Sequence, residues 1–202
     1  MSSQGRPRVV ALDWHRRWLS HQDATAKVLD AATALLREGS VAELSIDTIA
    51  DRAGMSPSAA AELFPSVDDV IVDICLHRIH SVVVDQEAPA GSVERVSAQL
   101  TSVIHLVAEE PAVAAACASL FLETGSAAER ARDQIGREIS QLIASASGPG
   151  AWPEVRTTLE LAFTGALIQA AMGSMPYPEA AQRVEDAVNL LLDAPSHHDR
   201  RA

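Results

Sequence analysis

The sequence predicts an all-α chain of two helical domains, on three observations. Apolar residues recur at three- and four-residue spacing, the period of an amphipathic helix, and runs that alternate apolar with polar are few. Alanine supplies much of the 48% hydrophobic content, while aromatics are only 3%. Capping residues and prolines fall at the ends of the periodic stretches rather than inside them. With 202 residues the chain suits one or two small domains with a real core.

Residues 1–20 are read as irregular. Arg6, Arg8, Arg16 and Arg17 interleave there with Trp14 and Trp18. Two readings stand side by side: a tail with a short docked helix, or a basic arm that touches phosphate or the minor groove. A first helix is expected from Asp23 to Glu38, with Ala24, Val28, Ala31, Ala32, Leu35 and Leu36 as its apolar stripe. Gly39 is read as its terminating glycine. Ser45 caps a second helix, "IDTIADRA", with Ile46, Ile49 and Ala50 inward. Gly54 makes the following turn, because positive φ favours glycine. Ser56 caps a third helix with Pro57 in its first position, where a missing N–H costs nothing. Leu63 and Phe64 point to the core, Pro65 stops the helix, and Ser66 with Asp69 gives a capping-box pattern for the next.

From Asp68 longer helices are expected: to Asp85; from after Ser92 to Glu110; the nearly all-apolar "AVAAACASLFLET"; a polar helix to Ser147; Glu154–Met172; and Pro178–Leu192. "QEAPAGS" and "SGPGAWP" break the series, and no internal repeat is found.

Net charge is −11. Residues 1–65 carry about −1 of it and residues 66–202 carry −10, so contact with nucleic acid must be local and confined to the first part. No apolar run reaches the roughly 18 residues of a membrane span, and "MSSQGRPRVV" lacks the pattern of a signal peptide. Cys75 and Cys117 form no ligand spacing, and a reducing cytoplasm is the simplest expectation.

A long helix, a short helix, a glycine turn and another short helix within about 45 residues is the helix-turn-helix layout. The segments "LDAATALLREG", "LSIDTIADRAGMS" and "LFPSVDDVI" resemble the N-terminal domain of the tetracycline-repressor (TetR) family of transcription regulators, over about 50 residues. The resemblance implies a homodimer, a small-molecule pocket in the C-terminal domain, and last helices that pair across a two-fold axis. It implies binding to double-stranded DNA, with repression relieved by the ligand as the usual outcome. It also exposes departures. Where the family usually has a phosphate-holding tyrosine, this chain has Ala61; where it has a lysine, this chain has Val67; and Glu62 adds negative charge beside them.

The expected organisation is a basic arm over 1–20, a helix-turn-helix domain over 21–66, a helical ligand-binding and dimerisation domain over 67–195, and a tail over 196–202. The DNA-facing residues are Arg16, Arg17, Lys27, Ser45, Thr48, Ser56, Pro57, Ser58, Ala59, Ala61 and Glu62. For the serines and the threonine, helix capping and a phosphate contact can coexist. Ala59, Ala60 and Ala61 either approach thymine methyls or are passive. Phe121, Leu122, Phe163, Leu167 and Met172 are read as either ordinary core or the lining of an aliphatic ligand cavity. Dimerisation is expected through Leu159, Phe163, Ala166, Val184, Val188 and Leu191, on the ground that two such stripes exceed what one protomer covers.

Asp73, His77, His80 and His105 have acceptable chemistry for a metal but are read as polar groups at helix edges, so no metal is expected. No cofactor is expected either. No nucleophile–base arrangement and no Gly-rich loop after a strand can be argued, so an enzyme is not expected. The rival expectation is an interaction or sensor protein that keeps the fold and no longer reads DNA.

Overall fold

The computed structural model describes residues 8–39, 41–82 and 88–193, with side chains from residue 21 onward. Among these residues the chain is all-α. Its helices are α1 (Arg8–Glu38), α2 (Ile46–Ala53), α3 (Pro57–Leu63), α4 (Val67–Ser81), α5 (Val93–Ala108), α6 (Pro111–Leu122), α7 (Ser126–Ser147), α8 (Pro153–Ala171) and α9 (Tyr177–Leu192), with a 3-10 turn at Val41–Glu43. The chain divides into two compact units, one ending at Val70 and the other beginning at Ile71, so the boundary falls inside α4.

In the first unit α2 packs on α1 and α3 on α2. The core is small and aliphatic: Val28, Ala32 and Leu36 from α1, Ile49 and Ala50 from α2, and Ala60 and Phe64 from the third helix and its end. Helix α1 begins fifteen residues earlier than its apolar stripe predicts. From Arg8 to Glu38 the chain holds neither glycine nor proline, so nothing interrupts the helix once it starts after Pro7. Arg16 and Arg17 therefore lie on a helix rather than on an irregular arm, though their side chains fall outside the described residues, as do residues 1–7 entirely. Gly39 ends α1 without a left-handed conformation.

In the second unit α9 packs against α5 and α8, and α7 against α5, α6 and α8. Leu100, Ile104, Ile143, Leu159, Phe163 and Val188 are sealed at its centre. The "SGPGAWP" segment is a turn within this unit, where Gly148 (φ 71°) caps α7. Gly91 (φ 81°) lies so close to α7 that a Cβ there would meet the Ser147 carbonyl oxygen at 2.8 Å, and its N–H donates to Ala146 O at 2.8 Å. A glycine is required at that point by both conformation and space.

Candidate nucleic-acid interface and ligand cavity

The helix-turn-helix is fixed by its caps. Ser45 Oγ accepts from Thr48 N–H, and Ser45 N–H donates to Thr48 Oγ1, a reciprocal capping box at the start of α2. At the other end Gly54 takes φ 68° and ψ 35°, and Met55 N–H reaches back to Ala50 O at 3.0 Å. That left-handed residue turns the chain out of α2 toward α3 with its backbone satisfied. Ser56 Oγ accepts from Ala59 N–H at 3.2 Å and sits 3.1 Å from Ser58 Oγ. Phe64 leaves the helix in an extended conformation before Pro65.

These constraints aim α3. Ala60 and Phe64 are buried, whereas Ser56, Pro57, Ser58, Ala59, Ala61 and Glu62 are exposed. The buried Ala60 is removed from the residues able to approach a base. The outward face is thus short side chains plus one carboxylate. Ser45, half-buried, and Thr48, exposed, have both hydroxyl protons engaged, Ser45 Oγ donating to Thr48 Oγ1 and Thr48 Oγ1 to the Ser45 carbonyl, which leaves first-turn N–H groups as the donors for an anion.

The charges around this face are sparse. Lys27 is exposed on α1. Arg52, at the end of α2, is committed to Glu38: its Nη1 donates to Oε1 at 2.9 Å and its Nη2 to the other carboxylate oxygen. The bidentate hydrogen bond holds the Glu38 carboxyl below the usual carboxylate range and raises the Arg52 guanidinium further. Val67, where the resemblance expects lysine, is half-buried at the first turn of α4.

The second unit encloses a cavity of about 90 Å³, partly open to solvent, between α4, α5, α6, α7 and α8. Its wall is aliphatic: Val103, Leu106, Val107, Ile135, Ile139 and Ile168, with Phe121 as its aromatic residue. Of the residues expected to line it, Phe121 and Leu167 do so. Phe163 is sealed in the core at 1% exposure, and Leu122 and Met172 face solvent at 58% and 56%. The helical period explains the miss. Leu122 is one residue past Phe121 and so is rotated by about 100° away from the cavity.

Sequence reasoning did not find the polar part of the wall. Arg78 and Glu110 both line the cavity, and Arg78 Nη2 donates to Glu110 Oε1 at 2.7 Å. Nor did it find that Cys75 and Cys117, which also line the cavity, are joined as a disulfide with Cα atoms 6.7 Å apart. The 42-residue separation hides that pairing. What reveals it is that α4 and α6 each turn one face to the same space.

The histidines are dispersed. His80 Nε2 is 2.7 Å from Glu138 Oε2, His77 and His105 are exposed, and among the described residues no group of three such side chains is placed to hold a metal ion.

The expected dimerisation residues need a correction. Leu159, Phe163, Ala166, Val184 and Val188 are buried within a single chain, because α5 covers the inner face of α9 and α7 that of α8. Only Leu191 of that set keeps partial exposure. The apolar side chains left outside on these two helices are Leu161, Met172 and Leu190, and Gly165 stands on the same side of α8 as Leu161 with open space above it.

No family profile matches the chain. Whole-chain relatives do. Helix-turn-helix transcriptional regulators of Mycobacterium tuberculosis and Mycobacterium bovis are 40% identical over 194 residues, 94% of this chain and 88% of theirs. Among solved structures, a TetR regulator from Rhodococcus sp. RHA1 superposes with a TM-score of 0.70 at 22% identity, over 88% of this chain and 99% of that one. A TetR regulator from Haloarcula marismortui gives 0.65 at 21%, over 86% and 98%. The Thermus thermophilus FadR repressor, solved with lauroyl-CoA, gives 0.55 at 18%, over 88% and 98%. These structures share the fold. Architecture and relatives together define a helix-turn-helix transcriptional regulator. The chain belongs with these helix-turn-helix transcriptional regulators, and its fold is that of the TetR regulators.

Proposed function

We propose that this protein is a dimeric DNA-binding regulator, acting as a repressor, that leaves its operator when a small apolar ligand enters the second unit. One observation carries the reading. Helix α3 is capped at Ser56, aimed by Gly54 and anchored by Ala60 and Phe64, while its other face, Glu62 apart, is made of residues small enough to let the backbone approach base edges. Lys27 and the arginines of the α1 region supply phosphate contacts in place of the tyrosine and lysine that Ala61 and Val67 replace. The cavity takes an aliphatic ligand. At about 90 Å³ it is smaller than the roughly 300 Å³ of a usual ligand site, so its walls separate on binding. A ligand that favours the separated walls weakens DNA binding by its differential affinity for the two states. The dimer forms through the outer faces of α8 and α9. The protein acts in the cytoplasm and catalyses no reaction.

A second reading, an interaction protein that no longer reads DNA, is favoured by Glu62, whose exposed carboxylate lies on the face that would meet phosphate. Fluorescence anisotropy against the DNA upstream of its own gene, over a range of salt, separates the two. The regulator reading expects sequence preference at low salt. Ala61→Tyr with Val67→Lys is expected to raise affinity for all sequences and to steepen the salt dependence by about 0.9 units per phosphate contact regained. Absence of sequence preference at every salt concentration, with only non-specific binding by the double variant, hands the assignment to the interaction protein.

A further inference from the structure

Cys75 on α4 and Cys117 on α6 are the chain's two cysteines, and both face the apolar cavity. Cys75 is buried and Cys117 half-buried, so a small molecule inside the cavity meets both sulfurs while bulk solvent meets them little. Their bond ties two of the helices that must separate if a ligand larger than the present cavity is to enter. Helix α4 is also the helix in which one compact unit ends and the other begins.

In a reducing compartment a disulfide is seldom a permanent staple; such bonds are mostly transient and responsive. This premise rests on the regulator reading, since a protein that works on chromosomal DNA works where thiols are kept reduced. We infer that Cys75 and Cys117 form a reversible thiol–disulfide site that gates the cavity: organic hydroperoxides close it, cellular dithiols open it, and the closed form excludes the apolar ligand.

The chemistry balances. The Cys75 thiolate attacks the peroxide oxygen of ROOH, the O–O bond breaks, and the alcohol ROH leaves after taking a proton, with Cys75 as sulfenic acid. The Cys117 thiol attacks that sulfur, forms the S–S bond and expels water. In sum two thiols and one hydroperoxide give a disulfide, an alcohol and water. A dithiol reverses the bond by exchange and is itself oxidised to its disulfide. The second step is intramolecular, because the two Cα atoms are already within disulfide range. Arg78, one turn after Cys75 and in the same wall, supplies a cation near the sulfurs, but Glu110 shares its charge. Selectivity comes from the cavity, which admits an apolar peroxide and holds a polar one poorly.

The test uses the full chain, reduced with dithiothreitol and desalted, then treated with cumene hydroperoxide or hydrogen peroxide. Thiol titration should fall from two to none, peptide mass mapping should show Cys75 linked to Cys117, and dithiothreitol should restore both thiols without unfolding. Cumene hydroperoxide should act several-fold faster than hydrogen peroxide. The neutral apolar dye N-phenyl-1-naphthylamine should bind the reduced protein several-fold more tightly than the oxidised, and this difference should vanish in Cys117→Ser, which retains the fold by circular dichroism. Thiols that survive peroxide, a bond that dithiothreitol cannot open in the native protein, equal dye affinity in both forms, or a redox difference that persists in Cys117→Ser would each overturn the inference. Operator titration of the same samples reads the regulator assignment separately: if neither form binds DNA, that assignment fails while the thiol and dye results stand on their own.

Discussion

Tyr177 begins α9 with its hydroxyl buried and lacking a hydrogen-bond partner among the described residues, and burial pushes its phenol above the usual range. A buried unsatisfied polar atom costs about 1–3 kcal/mol, so Tyr177→Phe should leave the melting temperature unchanged or raise it. A fall of several degrees would mean the hydroxyl has a partner. Glu38 makes the opposite kind of prediction. Its folded pKa is depressed by Arg52, so its contribution is present above the unfolded carboxylate value of about 4.3 and is lost as pH falls through the folded value. Glu38→Gln should therefore melt slightly below wild type at neutral pH in low salt, and the gap should close in acid. Both side chains are exposed, so the gap is small and screened by salt. At this scale the sequence was a partial guide. Ser45, Ser56 and Gly54 could be placed because each has a local reason to be where it is. The Arg52–Glu38 and Arg78–Glu110 pairs span 14 and 32 residues, and no local rule brings them together.

The elements were legible wherever their ends carry chemistry. Asp69 refines the expected box: its carboxylate accepts from Ser66 Oγ at 2.7 Å while Ser66 caps the Asp69 N–H. The start of α1 was missed because the stripe pattern weakens before Asp23 although no residue there breaks a helix. Two substitutions measure the turn that aims α3. Gly54→Ala meets no neighbour within 4 Å, so its cost is backbone alone, about 1–2 kcal/mol for a left-handed residue with a Cβ. Ser45→Ala removes a capping side chain and should cost about 1 kcal/mol. Urea unfolding should show both as lower midpoints with unchanged slopes. Wild-type stability in Gly54→Ala would mean that the turn relaxes without a left-handed residue.

For the whole molecule, the apolar stripes of α8 and α9 were visible in the sequence, but their partner was not. A stripe announces that a helix face is covered; it does not say whether the cover comes from α5 and α7 of the same chain or from a second copy. The structure gives the first cover, and that changes the assembly test. Val188 is at 0% exposure, so Val188→Glu buries an unpaired charge and should unfold the chain instead of producing a monomer. Leu161 and Leu190 are 72% and 75% exposed, so Leu161→Glu with Leu190→Glu should leave the helical signal intact and convert a dimer to a monomer in sedimentation at low micromolar concentration. The interface they disrupt should bury on the order of 2,000 Å². A double variant that still sediments as a dimer would place the interface elsewhere.

If α3 reads DNA as proposed, its small residues also bear on how readily that reading can be rewritten. Ser58, Ala59, Ala61 and Glu62 project away from the core, and the positions that hold the helix, Ala60 and Phe64, are not among them. Exchanging an exposed helical residue for another ordinary one shifts stability by at most about 0.7 kcal/mol. A combinatorial library randomised at those four sites, without proline or glycine, should therefore return folded protein for nearly every member. New target preferences could then be selected from it with little accompanying loss of solubility or yield. In a regulator whose reading residues also pack against its scaffold, changing the code and keeping the fold are competing demands; on the proposed reading of α3 they fall here on different side chains.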